Sequence, residues 1–409
     1  MKGRIRTVAV PLILGLALYG CTSKPKPAPE SAETVSEKPR VSSYIRTWAV
    51  PSEMRTGDNP YWSADMIQGD FLSDLIVAFA RIDPADGSSV FMPDAAPQAD
   101  GSPGFTALWD EVKAVKAKFP RLKVTVSVGG WEADGFSDMA KDETLRKTFV
   151  ANVCSLLKDK DLDGVDLDWE YPVGPEWGAP IKTSPEDREY YITLLRDLRA
   201  GLDTLGAETG KTYGLSAAIP ASGWFIAAND AAGAAEIVDS LKLMAYDYSG
   251  GWNSAAAHAA HFSANPADPA GGLGTRQIVD LYLSAGVPAE KLLVGVPFYG
   301  HAWAGVQDGG VHGLYQPSSS IPFGDGILSY TQIKELLKPD SGYARYWDET
   351  AQAAFLYNGD IWISYTDEEA IRALTGYVRE TGLGGLFAWE YAHDKDGDLL
   401  KVLAESLQQ

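Results

Sequence analysis

The stretch Asp161-Leu162-Asp163-Gly164-Val165-Asp166-Leu167-Asp168-Trp169-Glu170-Tyr171-Pro172 decides how this 409-residue chain is read. Acidic and apolar residues alternate along it, as in a strand whose side chains point to opposite faces in turn. Asp166, Asp168 and Glu170 share one face, and Val165, Leu167 and Trp169 share the other. Neighbours on one face lie about 7 Å apart at Cα, from a rise of roughly 3.3 Å per residue. Three carboxyls that close repel, so at least one is expected to keep its proton well above the ordinary carboxyl range. Asp163 has the wrong parity for that face. A solvent-facing acidic edge is the plain alternative, but it gives no reason to crowd acids opposite an apolar face. A metal site is another reading, yet hard cations usually take oxygen ligands from a loop that wraps them. A carboxylic acid poised for proton transfer fits a strand better.

The spacing Asp163-x-x-Asp166-x-Asp168-x-Glu170 resembles the signature of glycoside hydrolase family 18, the chitinases and their relatives. Ser127-x-Gly129-Gly130 resembles a second signature of that family, and Met244-Ala245-Tyr246-Asp247-Tyr248 a third. Read by parity alone, Met244 and Tyr246 merely share a strand face and would serve as core. Trp389 resembles the tryptophan that floors the family's sugar site. The resemblance extends over nearly everything after residue 43. It implies an α/β fold, a TIM (β/α)8 barrel with a small α+β insertion between strands 7 and 8.

The remaining pattern agrees with repeated strand–helix units. Strands are expected at Tyr44–Val50, Leu75–Ile82, Leu122–Val128, the acid stretch, Tyr213–Ile219, Ser240–Tyr246, Leu292–Phe298 and Gly385–Trp389. Helices are expected near 105–119, 143–158, 275–285, 366–379 and 399–407. Ser184-Pro185-Glu186-Asp187 and Thr366-Asp367-Glu368-Glu369 read as capping boxes that open helices. Residues of about 303–361 hold many aromatics and are too long for a structureless loop in a compact domain. They are expected to form the insertion and to wall one side of a cleft.

Glycosidases usually need two carboxylates on opposite sides of the bond they cut. Asp168 and Glu170 are too close along one strand for that. The resemblance implies substrate-assisted catalysis instead, in which the substrate's 2-acetamido group attacks its own anomeric carbon. It further implies roles: Glu170 as general acid and then base, Asp168 on the acetamido N–H, and Asp166 keeping a proton or hydrogen bond available to Asp168. Tyr246 would donate to the acetamido carbonyl, Asp247 would hold the distorted sugar, and Trp389 would stack beneath it. Trp131, Phe79, Tyr44, Met244, Tyr299, Trp252 and Gly130 are expected in the cleft walls. Family members commonly carry Arg where His301 stands, which concerns one sugar contact. The expected substrate is chitin or a chitooligosaccharide, with no cofactor and no metal. An endo-β-N-acetylglucosaminidase of N-glycans and a non-catalytic carbohydrate-binding relative are the rival readings. Glu170 argues against the second.

The composition is that of a globular chain, 45% hydrophobic and 22% charged, with a formal net charge of -20. Such acidity argues against nucleic acid or an anionic membrane surface as partner. Lys2, Arg4 and Arg6 precede a short apolar run, Val8 to Leu18, as in a signal peptide over residues 1–20. The run is shorter than the roughly 20 residues of a membrane span. Leu18-Tyr19-Gly20-Cys21 resembles a bacterial lipobox, which implies lipidation at Cys21 and anchoring in the cell envelope after export. An ordinary signal peptide with an incidental Cys is the other reading. Residues 21–43 read as a disordered tether, and 44–409 as the catalytic barrel. Cys154 would then be the one thiol in the globular part, a small buried apolar residue. A monomer is expected.

Overall fold

The computed structural model describes residues 39–55, 59–97, 104–175, 178 and 180–408. Eight parallel strands close on themselves. They are β1 (Arg40–Arg46), β2 (Asp74–Ile82), β3 (Lys123–Gly129), β4 (Gly164–Asp168), β5 (Gly214–Pro220), β6 (Ser240–Met244), β7 (Leu292–Pro297) and β8 (Gly385–Trp389). Each pairs with the next, and β1 pairs with both β2 and β8, so the sheet has no open edge. This is a TIM barrel.

Strand parity sorts the side chains. Ile45, Leu75, Val77, Val124, Val126, Val165, Leu167, Leu241 and Val294 point outward into one large core beneath the helices. Tyr44, Ile76, Ala78, Phe79, Leu293 and Phe387 form a second, smaller cluster inside the barrel. Helices pack on the outer layer through their apolar faces. The helix Glu143–Asp159, for example, buries Phe149, Val150, Val153 and Leu157, and the Asp142 carboxylate caps it by accepting from the N–H groups of Thr144 and Leu145. Asp163, of opposite parity to the acid row, accepts from Lys116 Nζ and from the Val124 N–H, both at 2.8 Å. It fastens the start of β4 to the outside.

Several boundaries differ from those expected. The first strand begins at Arg40, not Tyr44, because Arg40 to Ser43 pair with Gly385 to Ala388 of β8. The barrel therefore starts inside the segment expected as tether, and the signal peptide, Cys21 and most of that tether lie outside the described residues. The helix expected from Ser184 begins at Asp187. Only half of its capping box forms: Asp187 accepts from the Ser184 N–H at 2.7 Å, while its other oxygen takes the Ser137 hydroxyl at 3.0 Å. At the later box the N-cap is Asp367, which accepts from the Ala370 N–H. Thr366 plays no such part. A short strand, Val90–Phe91, antiparallel to β2, lies outside every expected element.

Between β7 and β8 stands a five-stranded antiparallel sheet, made of Tyr299–Trp303, Ile327–Ser329, Ala344–Asp348, Ala353–Tyr357 and Trp362–Tyr365. It is wider than the expected 303–361. Gly300 to Trp303 pair with Tyr365 to Trp362, so both flanking segments belong to it. Trp303, Phe355, Tyr357 and Trp362 give it a core of its own.

Gly129 shows how tightly the acid strand is seated. Its φ is +125°, and a Cβ there would lie 1.9 Å from the Asp168 carbonyl oxygen. Gly129→Ala must therefore push β3 and β4 apart at Asp168. We expect a loss of about 1–3 kcal/mol from strain of this kind, read as a lower urea midpoint than wild type. An unchanged midpoint would show that the strands can separate freely there.

Candidate active site

The acid row begins inside the barrel. Asp166 is fully buried. One of its oxygens accepts from the Tyr44 and Ser127 hydroxyls, both at 2.8 Å. The other accepts from the Ser216 hydroxyl at 2.6 Å and from Lys242 Nζ at 2.9 Å. Lys242 is itself buried and also donates to the Ser216 hydroxyl. Burial alone would raise the Asp166 carboxyl. The Lys242 ammonium and the donated hydrogen bonds outweigh it and hold the group below its ordinary value. Of the expectation that Asp166 keeps a proton or hydrogen bond available to Asp168, this corrects the proton. With four donors aimed at two oxygens it is a carboxylate.

The raised carboxyls lie further along. Asp168 ends β4, buried, and its carboxyl is pushed well above the ordinary range by burial, then by the nearby charges of Glu170 and Asp166. Its Oδ1 has no hydrogen-bond partner among the described residues. Glu170 follows two residues past the strand end, still buried. Burial is the main reason its pKa is raised to about 7, with the Asp247 charge adding to it. The Tyr171 hydroxyl, hydrogen-bonded to Glu170, and the Arg81 charge act in the opposite sense. The expectation of one strongly raised carboxyl is thus met twice, in neighbours that titrate as a pair.

Two residues from the β6 end complete the polar group. Tyr246 lies just beyond the strand, and its phenol is held neutral by burial and by Asp168 and Asp247. Gly295 makes room for it, since a Cβ there would come within 2.6 Å of the Tyr246 ring. Asp247 has a left-handed backbone, φ 57°, which turns its carboxylate back toward the insertion sheet. There it accepts from the Tyr299 hydroxyl at 2.6 Å, and His301 Nε2 lies 2.9 Å from the same oxygen. His301, in the place of the usual Arg, thus meets Asp247 directly.

The aromatic residues divide into two sets. Trp389 lies at the end of β8, partly exposed, with the Phe79 ring stacked 5.6 Å away and Tyr44 edge-on at 5.4 Å. Met244 packs against the same interior cluster. Trp131 follows β3 and is 48% exposed; Trp252 is 65% exposed beside the His301 ring. These two stand out on separate loops. Tyr44 does not belong in the cleft wall as expected. It is only 2% exposed, meets Trp389 edge-on, and spends its hydroxyl on Asp166. Gly130 is likewise explained by packing: its φ is +90°, and a Cβ would strike the Phe79 ring at 2.6 Å. Among the described residues no cluster of three or more His, Cys, Asp or Glu is arranged to hold a metal ion.

Sequence reasoning missed four residues here: Trp48, stacked on Phe79 at 6.2 Å, Arg81, Ser216 and Lys242. Lys242 had a legible signal. It shares parity with Met244 and Tyr246 and interrupts the apolar run Leu241-Lys242-Leu243-Met244. A lysine on the inward face of a barrel strand needs a buried acid.

Comparison with known proteins agrees with this arrangement. Residues 40–394 match Glycosyl hydrolases family 18. Chitinase A1 of Niallia circulans is 37% identical over 311 residues, covering 73% of this chain and 44% of that protein. The chain spans about half the length of the curated relatives it matches. Among solved structures, a family 18 N-acetylglucosaminidase from Paenibacillus barengoltzii superposes with a TM-score of 0.76 at 30% identity, over 90% of this chain and 99% of that one. A chitinase from Bacillus thuringiensis superposes with a TM-score of 0.79 at 28% identity, over 91% and 70% of the two chains. The family match over residues 40–394 spans most of the chain, and the chain belongs to glycosyl hydrolase family 18.

Proposed function

We propose that the protein is a chitinase that hydrolyses β-1,4-linked N-acetylglucosamine chains with retention, using the substrate's own acetamido group as nucleophile. The observation that carries this reading is Asp168 Oδ1, a buried acceptor without a partner among the described residues, beside a Glu170 that keeps its proton to about pH 7. An amide N–H is the donor that such an acceptor lacks.

The steps are those that the family resemblance implies for these residues. The Asp168–Glu170 pair enters the cycle with one proton. Glu170 gives that proton to the glycosidic oxygen as the bond to the anomeric carbon breaks. The acetamido carbonyl oxygen bonds to that carbon from the opposite side and forms a cyclic oxazolinium. Asp168 accepts the acetamido N–H and balances its growing positive charge. The Tyr246 phenol donates to the acetamido oxygen and aligns it. Water then adds at the anomeric carbon while Glu170, now a carboxylate, takes its proton, so two inversions give retention. Trp389, backed by Phe79, offers an apolar face to the C–H surface of the sugar.

Glu170→Gln should lower kcat by about 10²–10⁴, the share of a general acid, while binding of chitotetraose changes little. Proton NMR of the first wild-type product should show the β-anomer. A Glu170→Gln enzyme with the wild-type rate, or an α-anomeric first product, would overturn the assignment.

Activity should also report the raised carboxyl. Glu170 must be protonated, so kcat/KM should fall as the pH rises through about 7. Asp247 raises that carboxyl by charge, so Asp247→Asn should move the alkaline limb to lower pH. A limb that stays in place or moves upward would contradict the electrostatic account.

The export reading belongs to the same proposal: the apolar leader and the Cys21 motif support a lipid-anchored protein acting at the cell envelope. Labelled fatty acid fed to the producing bacterium should be incorporated into wild type and not into Cys21→Ala. Label in neither protein would remove the anchor.

A further inference from the structure

We infer that Lys242 is a positioning residue for the reaction: from inside the barrel it keeps Asp166 as a carboxylate, and so confines the working proton to Asp168 and Glu170. The inference rests on the chitinase reading but concerns a residue that the reading does not use.

The geometry carries it. Lys242 lies on β6 and Asp166 on β4, on either side of Ser216 of β5, and all three side chains are buried. Nζ sits 2.9 Å from Asp166 and also donates to the Ser216 hydroxyl, which donates in turn to the same Asp166 oxygen at 2.6 Å. On the far side, Tyr44 of β1 and Ser127 of β3 occupy the second oxygen. Of these four donors three are hydroxyls, and Lys242 is the one cation. Hydroxyls alone leave a buried carboxylate free to take a proton.

That proton would come from the pair above. Asp166 shares a strand face with Asp168, and the charges on Glu170, Asp166, Arg81 and Lys242 all act on Asp168. Tyr44 and Tyr246 face the same space, and Tyr191 feels both acids from the helix layer; all three stay neutral phenols. If Asp166 became a third proton site, a proton could be lost to a place from which it reaches no substrate. Lys242 closes that route without touching the sugar.

The test is a set of pH profiles. In the proposed cycle the active form of the Asp168–Glu170 pair carries one proton, so the acid limb of kcat/KM marks the uptake of a second. Lys242→Met removes the charge at similar length. It should move the acid limb upward by about one pH unit or more, the effect of losing a close opposite charge, and lower kcat with little change in KM. Asp166→Asn, which leaves Lys242 without its partner, should move the limb downward. The double variant Asp166→Asn/Lys242→Met should return it toward wild type. If Lys242→Met does not fold, infrared difference titration of wild type against Asp166→Asn decides, since the band lost with Asp166 must be that of a carboxylate throughout the acid limb. A band that titrates there as a carboxylic acid, or a Lys242→Met enzyme whose kcat falls while its limb stays in place, would reduce Lys242 to a structural residue and overturn the inference. Infrared difference spectra of the carboxyl band, taken without substrate, should show the same ordering of titrations. They separate a failure here from a failure of the chitinase reading, because they require no turnover.

Discussion

A carboxylate buried at the centre of the barrel, with three hydroxyls and one ammonium closed around it, is the constraint on which the site depends. Asp166 takes donors from β1, β3, β5 and β6. It therefore ties four strands to β4 at the level just below the chemistry. A buried ion pair is poor evidence of net stability, because desolvation consumes most of its attraction. What it fixes is a charge state. Burial does most to raise Asp168 and Glu170, and the charge of Glu170 and then that of Asp166 raise Asp168 further.

From that point the layout follows outward. Strand parity sends Val165 and Leu167 to the helices and the acids to the interior. Gly129 lets β3 approach the Asp168 backbone, and Gly295 leaves space for Tyr246. The insertion sheet begins directly after β7, and its first strand delivers Tyr299 and His301 to Asp247. The inserted sheet is therefore joined to the acids through one carboxylate, in addition to any wall it gives the cleft. Phe79 stacks on Trp389, and Tyr44 meets Trp389 edge-on while donating to Asp166, so Tyr44 joins the aromatic platform to the buried charge network.

Much of this was legible in the chain. The period of two placed the acid row, and Asp163, of the wrong parity for it, is bound instead by Lys116 and the Val124 N–H. Strand β8 lies where its pattern put it. Tyr44 was assigned to the cleft wall because nothing local distinguishes a tyrosine that meets a sugar from one that meets a carboxylate 122 residues away. The charge of Asp166 was hidden for the same cause: Lys242 and Ser216 lower its carboxyl, and only the closed barrel brings them near. At the expected Thr366 box the cap is Asp367, whose carboxylate accepts a backbone N–H more strongly than a hydroxyl does, while at Ser184 only the half of the box made by Asp187 forms.

Joint neutron and X-ray diffraction from deuterated crystals near pH 6 would test the central claim most directly. The expected map shows deuterium bound to the Asp168–Glu170 pair, three deuterons on Lys242, and none bound to either oxygen of Asp166. A deuteron covalently held by Asp166, or a neutral Lys242 beside it, would contradict that claim.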